Sequence, residues 1–240
     1  MDNLDLNDIL DRKKEEAQLI EYLNYFEENK HDLTTKRGIY IFGNPGVGKT
    51  RFVYDILNKL NYDIIGFDAG DVRNKSAIDK ITKHNMSDKN IMNLFYKKSK
   101  KIAIVMDEID GMNSGDKGGI NSLIKLMRPK KTRRQKKEDI TLNPIICIGN
   151  YHIDKKIKEI KKTIDNIEIK TPTENQIKNI LSNHLKIENM GEMYSSYIGG
   201  DLRKLEFIYT ISKVNKHLMD NMDINTIFLS VDYNDDTKII

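Results

Sequence analysis

The sequence predicts an α/β fold built on a parallel sheet, and three observations predict it. Short apolar runs alternate with longer amphipathic stretches as far as residue 171. The run Ile102-Ala103-Ile104-Val105-Met106 is apolar without a break, as in a strand covered on both faces. Past Pro172 the strand-like runs stop, and helical spacing takes over.

Each element follows in order. Leu19, Ile20, Tyr22, Leu23, Tyr25 and Phe26 read as the core face of an opening helix. Residues 39–42 form the first strand, ending in Gly43. Phe52, Val53, Ile56, Leu57 and Leu60 then fall on one side of a helix at 3.6-residue spacing. Residues 62–69, 101–107, 144–150 and 166–171 are four more strands. Thr173 with Gln176 opens a helix as a capping box. Ile177, Ile180, Leu181 and Leu185 give its apolar stripe. Asp201 is the N-cap of a further helix carrying Leu202, Leu205, Ile208 and Ile211. The organisation is an α/β base over residues 1–171 and a helical lid over 172–240, with an ambiguous tail from Asn221.

Composition excludes several classes. Lys and Arg total 40 against 36 Asp and Glu, a net of +4, so any footprint for nucleic acid has to be local. The single cysteine, Cys147, makes an internal disulfide impossible, and its apolar surroundings read as core. The five histidines are scattered without metal-ligand spacing. The opening Met1-Asp2-Asn3-Leu4-Asp5 is unlike a signal peptide, and no apolar run is long enough to span a bilayer. The expectation is a soluble intracellular protein with no membrane partner, acting in nucleus, cytoplasm or a viral replication site.

Chemistry concentrates in one loop. Gly43-Asn44-Pro45-Gly46-Val47-Gly48-Lys49-Thr50 fits the G-x-x-x-x-G-K-[ST] pattern, between a strand and an amphipathic helix. The glycines let successive backbone N–H groups turn toward an anion, and the following helix adds its positive N-terminal end. Lys49 neutralises the β- and γ-phosphates of ATP, and Thr50 offers a hydroxyl to magnesium. Asp107, at the end of the strand over 101–107, is the second group expected to hold magnesium, through water, since that ion prefers one or two carboxylates beside phosphate oxygens. Glu108 is the group that polarises the attacking water. Asn150, at another strand end, either orients that water, contacts the γ-phosphate, or makes an ordinary turn. Arg203 sits in the first turn of a lid helix, where the dipole disfavours a cation; it is either a phosphate sensor or a plain exposed arginine.

Together these residues resemble an AAA+ ATPase of the clamp-loader group. The phosphate loop, Asp107-Glu108-Ile109-Asp110, Asn150 and Gly199-Gly200-Asp201-Leu202-Arg203 correspond to its Walker A, Walker B, sensor 1 and sensor 2, in the expected order. Within the group the likeness runs to the replication factor C large subunit, through three stretches. These are Asp68-Ala69-Gly70-Asp71-Val72-Arg73-Asn74-Lys75-Ser76; Met106-Asp107-Glu108-Ile109-Asp110-Gly111-Met112 with Gly118-Gly119-Ile120; and Pro144-Ile145-Ile146-Cys147-Ile148-Gly149-Asn150. The likeness covers about residues 5–215.

The resemblance implies a five-stranded parallel sheet in the order 5-1-4-3-2, with ATP and magnesium as cofactors. It also implies a ring of AAA+ clamp-loader subunits that loads a sliding clamp onto primer–template DNA. A neighbour would donate an arginine finger in trans. This chain offers none, because Lys162-Thr163-Ile164 stands where the family's Ser-Arg-Cys is found. The family continues past the lid into a helical collar, whereas this sequence ends at Ile240, which leaves a reduced version, a fragment, or a motor with another partner as alternatives. Its Ile-, Lys- and Asn-rich composition suits an AT-rich genome such as that of a large DNA virus.

Arg128, Lys130, Lys131, Arg133, Arg134, Lys136 and Lys137 put seven cations into ten residues. Mutual repulsion predicts a segment that is mobile without a partner, and DNA phosphates are the expected partner; a solvated loop and a nuclear-import signal are the alternatives. Two other functions compete with clamp loading: an AAA+ protein remodeller, against which residues 74–100 lack an aromatic-Gly pore pair, and a non-hydrolysing ATP-binding scaffold.

Overall fold

A computed structural model describes residues 5–67, 100–114, 117–151, 155–184 and 191–214. The strand end expected at 68–69, the stretch Asp68 to Ser76, Leu185 and the tail from Asn221 lie outside the described residues. The chain divides into two compact units, one running from Asp5 to Thr171 and the other beginning at Pro172.

The first unit opens with helices α1 (Leu6–Ile9) and α2 (Lys13–Asn29). It continues through β1 (Gly38–Gly43), α3 (Lys49–Lys59), β2 (Tyr62–Phe67), β3 (Lys101–Met106), α4 (Lys117–Met127), β4 (Ile145–Gly149), α5 (Lys155–Thr163) and β5 (Asp165–Ile169). Among the described residues the sheet has five strands, all parallel, in the order β2-β3-β4-β1-β5. Read from the other edge, this is the 5-1-4-3-2 order that the resemblance implies. β1 lies between β4 and β5, with Gly38 opposite Ile145 of β4 and Ile39 opposite Asp165 of β5.

Because side chains alternate along a strand, each central strand feeds two cores. Ile39, Ile41, Val105, Ile146 and Ile148 pack with Leu19, Leu23, Phe52, Val53 and Ile56 from α2 and α3. Tyr40, Ile104, Met106, Ile145 and Cys147 pack on the opposite face with Leu123, Ile124, Ile157 and Ile160 from α4 and α5. Phe52, Val53, Ile56 and Leu57 are all 0% exposed, and each such side chain contributes roughly 1.5–3 kcal/mol of burial. Burial also pushes the Cys147 thiol up to about 12, so it belongs to the core as expected.

Two details of α2 differ from the sequence reading. Tyr25 is 55% exposed, and Ile20 is only partly buried. Leu19, Tyr22, Leu23 and Phe26 make a narrow stripe at 3.6 residues per turn, and Tyr25 and Ile20 fall on its two flanks.

In the second unit, α6 (Glu174–Asn179) runs into a π-helical turn over Ile180–His184, followed by α7 (Gly191–Ile198) and α8 (Leu202–Val214). The capping box is present: the Thr173 hydroxyl accepts from the Gln176 N–H at 3.3 Å, and the Gln176 Oε1 accepts from the Thr173 N–H at 2.9 Å. Ile177, Ile180, Leu181, Leu202, Leu205 and Ile208 are buried, and the Ser195 hydroxyl donates to Glu174 Oε1 at 3.2 Å. Among the described residues, no helix is long and apolar enough to cross a membrane.

Candidate nucleotide site

The phosphate loop leaves β1 at Gly43 and enters α3 at Lys49. Gly46 at φ 77° and Gly48 at φ 82° hold left-handed backbone, which a side chain would strain by about 1–2 kcal/mol each. Gly48 is the residue before α3, so the loop ends on that helix's N-terminus. Lys49 follows, and its ammonium donates to the carbonyls of Gly43 (3.1 Å) and Asn44 (2.8 Å). A third bond runs to Asn150 Oδ1 at 2.9 Å. The Asn44 side chain donates to the Thr171 hydroxyl at 2.8 Å, joining the loop to the segment just past β5.

Thr50, one residue on, donates its hydroxyl to Asp107 Oδ2 at 2.6 Å. Asp107 lies directly after β3, and its Oδ1 accepts from the Glu108 N–H at 2.9 Å. Glu108 is exposed and holds φ 51°, a left-handed backbone that a non-glycine residue adopts only at a cost. Threonine hydroxyl and aspartate carboxylate are both hard oxygen donors, and their contact puts two such donors side by side next to Lys49. That donor set fits magnesium, which takes oxygen ligands and keeps only one or two carboxylates.

Lys49, Thr50, Asp107 and Asn150 are thus joined in pairs by hydrogen bonds, with Glu108 alongside. Arg203 belongs to the second unit, in the first turn of α8. Its backbone N–H and its Nε both go to Asp201 Oδ1, at 2.9 and 3.4 Å, which makes Asp201 the cap that the sequence indicated.

Three participants went unassigned in the sequence. Asp110 sits in the 3₁₀ turn Ile109–Ser114 after β3, and its Oδ2 accepts from Asn150 Nδ2 at 2.9 Å. Tyr40 of β1 donates its hydroxyl to the Asn150 carbonyl at 3.3 Å; burial first, and Asp110 second, push that phenol well above its usual range. Arg12, from the turn before α2, donates to the Val47 carbonyl in the middle of the phosphate loop at 2.7 Å. Burial lowers its guanidinium to about 10. In the sequence Arg12 is one charge in Asp11-Arg12-Lys13-Lys14, with nothing to mark it as buried.

The basic segment is tied to an acid just beyond it. Arg128 donates to both Glu138 oxygens, at 2.7 and 3.0 Å. Lys130 is 0% exposed, and its ammonium goes to Glu138 Oε2 at 3.0 Å and to the Lys125 carbonyl. Gln135 Oε1 accepts from the Lys131 and Thr132 N–H groups, each at 3.0 Å, closing a short turn. The sequence counted all seven cations toward DNA phosphates; Lys130 is withdrawn into the protein and Arg128 is paired. Lys131, Arg133, Arg134, Lys136 and Lys137 are exposed.

Residues 39–171 match the family described as ATPase family associated with various cellular activities (AAA). The replication factor C large subunit of Methanococcus vannielii is 26% identical over 205 residues, covering 82% of this chain and 37% of that protein. Replication factor C subunit 1 of Saccharomyces cerevisiae is 27% identical over 205 residues, covering 80% and 22%. The large subunit of Nanoarchaeum equitans is 27% identical over 201 residues, covering 81% and 43%. The chain spans less than half the length of these relatives.

Proposed function

The chain belongs to the AAA ATPase family, and from that premise we propose that it binds and hydrolyses ATP as a clamp-loader-like subunit of the replication factor C large-subunit type. It would couple that turnover to loading a sliding clamp on primed DNA. The observation that supports this reading is the convergence of Lys49, Thr50, Asp107 and Asn150 at the ends of β1, β3 and β4.

The residues divide the work by their chemistry. The loop N–H groups and Lys49 bind the phosphates, and Lys49 neutralises charge at the transferred group. Thr50 and Asp107 would hold magnesium, which supplies further neutralisation of the phosphate oxygens when bound. Glu108 takes up the proton of the attacking water. Asn150 holds Lys49, and Arg203 acts as the lid's sensor of the phosphates. Neighbouring AAA+ subunits, one of them giving an arginine in trans, the clamp and primer–template DNA are the proposed partners. The exposed cations Lys131, Arg133, Arg134, Lys136 and Lys137 are the proposed contacts to the DNA backbone.

The test is ATP hydrolysis by the chain alone, and with primed DNA, clamp and small AAA+ subunits. Stimulation by DNA and clamp together is the expected result, with Glu108→Gln abolishing turnover while ATP still binds. Normal hydrolysis by Glu108→Gln overturns the role of Glu108. Indifference to DNA and clamp overturns the clamp-loading reading.

A further inference from the structure

Lysine is a donor with no acceptor, and a carboxylate is an acceptor with no donor. Asn150 lies between one of each: its Oδ1 accepts from Lys49 at 2.9 Å, and its Nδ2 donates to Asp110 Oδ2 at 2.9 Å. Turned end over end, the amide would set its NH2 against an ammonium and its oxygen against a carboxylate. The neighbours therefore decide which end points where.

The surroundings hold this arrangement closely. Tyr40 fixes the Asn150 backbone through its carbonyl, at 3.3 Å. Gly149 leaves room for both partners, since a Cβ there would run into the Tyr40 hydroxyl and lie 3.2 Å from Asp110 Oδ1. That second Asp110 oxygen is buried without a hydrogen-bond partner. A buried oxygen left unpaired is costly, so the carboxylate is kept beside Asn150 against local stability.

Resting on the ATPase reading above, we propose that Asp110 is a positioning residue that keeps the carbonyl end of Asn150 toward Lys49 and the phosphate position. Asn150 then works as an acceptor, for Lys49 and for a proton of the attacking water, and not as an N–H donor to a phosphate oxygen. Asp110 acts through Asn150, from whose Nδ2 it accepts.

The test uses the full chain, labelled with 15N, and the nearly isosteric Asp110→Asn, which can offer either end of its own amide to Asn150. The Asn150 side-chain signals are identified by their loss in Asn150→Ala. In the unsubstituted chain, one of these amide protons is expected downfield and slow to exchange. Asp110→Asn moves it upfield and speeds its exchange by up to about tenfold, because the new amide accepts from Asn150 Nδ2 in only one of its two orientations. ATP turnover falls about 10- to 100-fold in Asp110→Asn, the usual range for a lost supporting partner. In an Asn150→Ala background the same substitution changes turnover less than about twofold, because the residue it acts through is gone.

Asn150 signals indifferent to Asp110→Asn overturn the proposal, as does an undiminished loss of turnover in the Asn150→Ala background. If Asp110→Asn does not fold, the unsubstituted chain still decides: fast exchange of both Asn150 amide protons overturns the proposal, and slow exchange of one supports it. A chain without ATP turnover refutes the ATPase reading, while the amide exchange separately decides the role of Asp110.

Discussion

Replacing Glu138 with alanine strands a buried ammonium, and the cost follows from the geometry. Lys130 is 0% exposed, and its two acceptors are Glu138 Oε2 and the Lys125 carbonyl. Burial pushes the Lys130 ammonium below its usual range, with Glu138 opposing the shift. Arg128, and to a lesser degree Lys130, hold the Glu138 carboxyl below the usual carboxylate range. Breaking a buried ion pair from one side costs roughly 3–5 kcal/mol. The Glu138 side chain is 26% exposed, so water already screens part of the pair, and about 3 kcal/mol, the low end of that range, applies. At about 2–4 °C per kcal/mol for a chain of this size, Tm falls by about 6–12 °C. Calorimetry at neutral pH measures it. The double variant Lys130→Met with Glu138→Gln recovers most of the loss, since a methionine fills the lysine's path without a buried charge. A drop of less than about 2 °C, at most about 0.5–1 kcal/mol on that scale, would refute the burial of Lys130.

Glu108→Gly relieves a left-handed backbone at an exposed position, and is expected to raise stability by about 0.5–1 kcal/mol while abolishing hydrolysis; a lowered Tm contradicts it. Gly149→Ala drives a methyl group into the Tyr40 hydroxyl and is expected to cost roughly 1–3 kcal/mol, with reduced ATP turnover; unchanged melting and turnover contradict it. Glu138 is depressed in the folded chain, so its stabilisation is complete above the usual glutamate range and is lost as pH falls through and below it. Glu138→Gln should therefore flatten the acid limb of a Tm-against-pH curve while lowering Tm at neutral pH, and parallel acid limbs would contradict this. Changing Lys131, Arg133, Arg134, Lys136 and Lys137 to serine should reduce the log–log salt slope of DNA binding by up to about 0.9 for each phosphate no longer neutralised; an unchanged slope removes this segment from the DNA surface.

What the sequence made legible is what local pattern encodes. The strand–loop–helix around Lys49 is contiguous, and the apolar runs that alternate between two cores are visible as uninterrupted stretches, so the strands and the loop followed directly, while the strand order was what the resemblance implied. The Thr173–Gln176 cap and the Asp201 cap are equally local. Contacts between distant residues were not legible. Arg12 reaches Val47 across 35 positions, and Asn150 reaches Asp110 across 40. Arg12 looks from the sequence like an ordinary charge, and Asn150 and Asp110 stand out there without their pairing, because only the folded sheet brings the partners together. The basic segment misled for a related reason. Counting charge from Arg128 to Lys137 stops one residue short of Glu138, whose carboxylate takes up two of those cations. Tyr25 was assigned to the core by residue type, whereas its position around the helix turns it outward.

The Val47 carbonyl bound by Arg12 anchors the middle of the anion cradle, in addition to its covalent attachments to β1 and α3 and the Asn44–Thr171 bond. A strap fastened at both ends and at its middle has little slack to take up. Its ordering entropy is spent when the chain folds rather than when a triphosphate arrives, which favours tight capture. The same fastening makes the turn between α1 and α2 part of the cradle's stiffness, so a strain applied at the front of the chain is felt directly by the groups that face the phosphates.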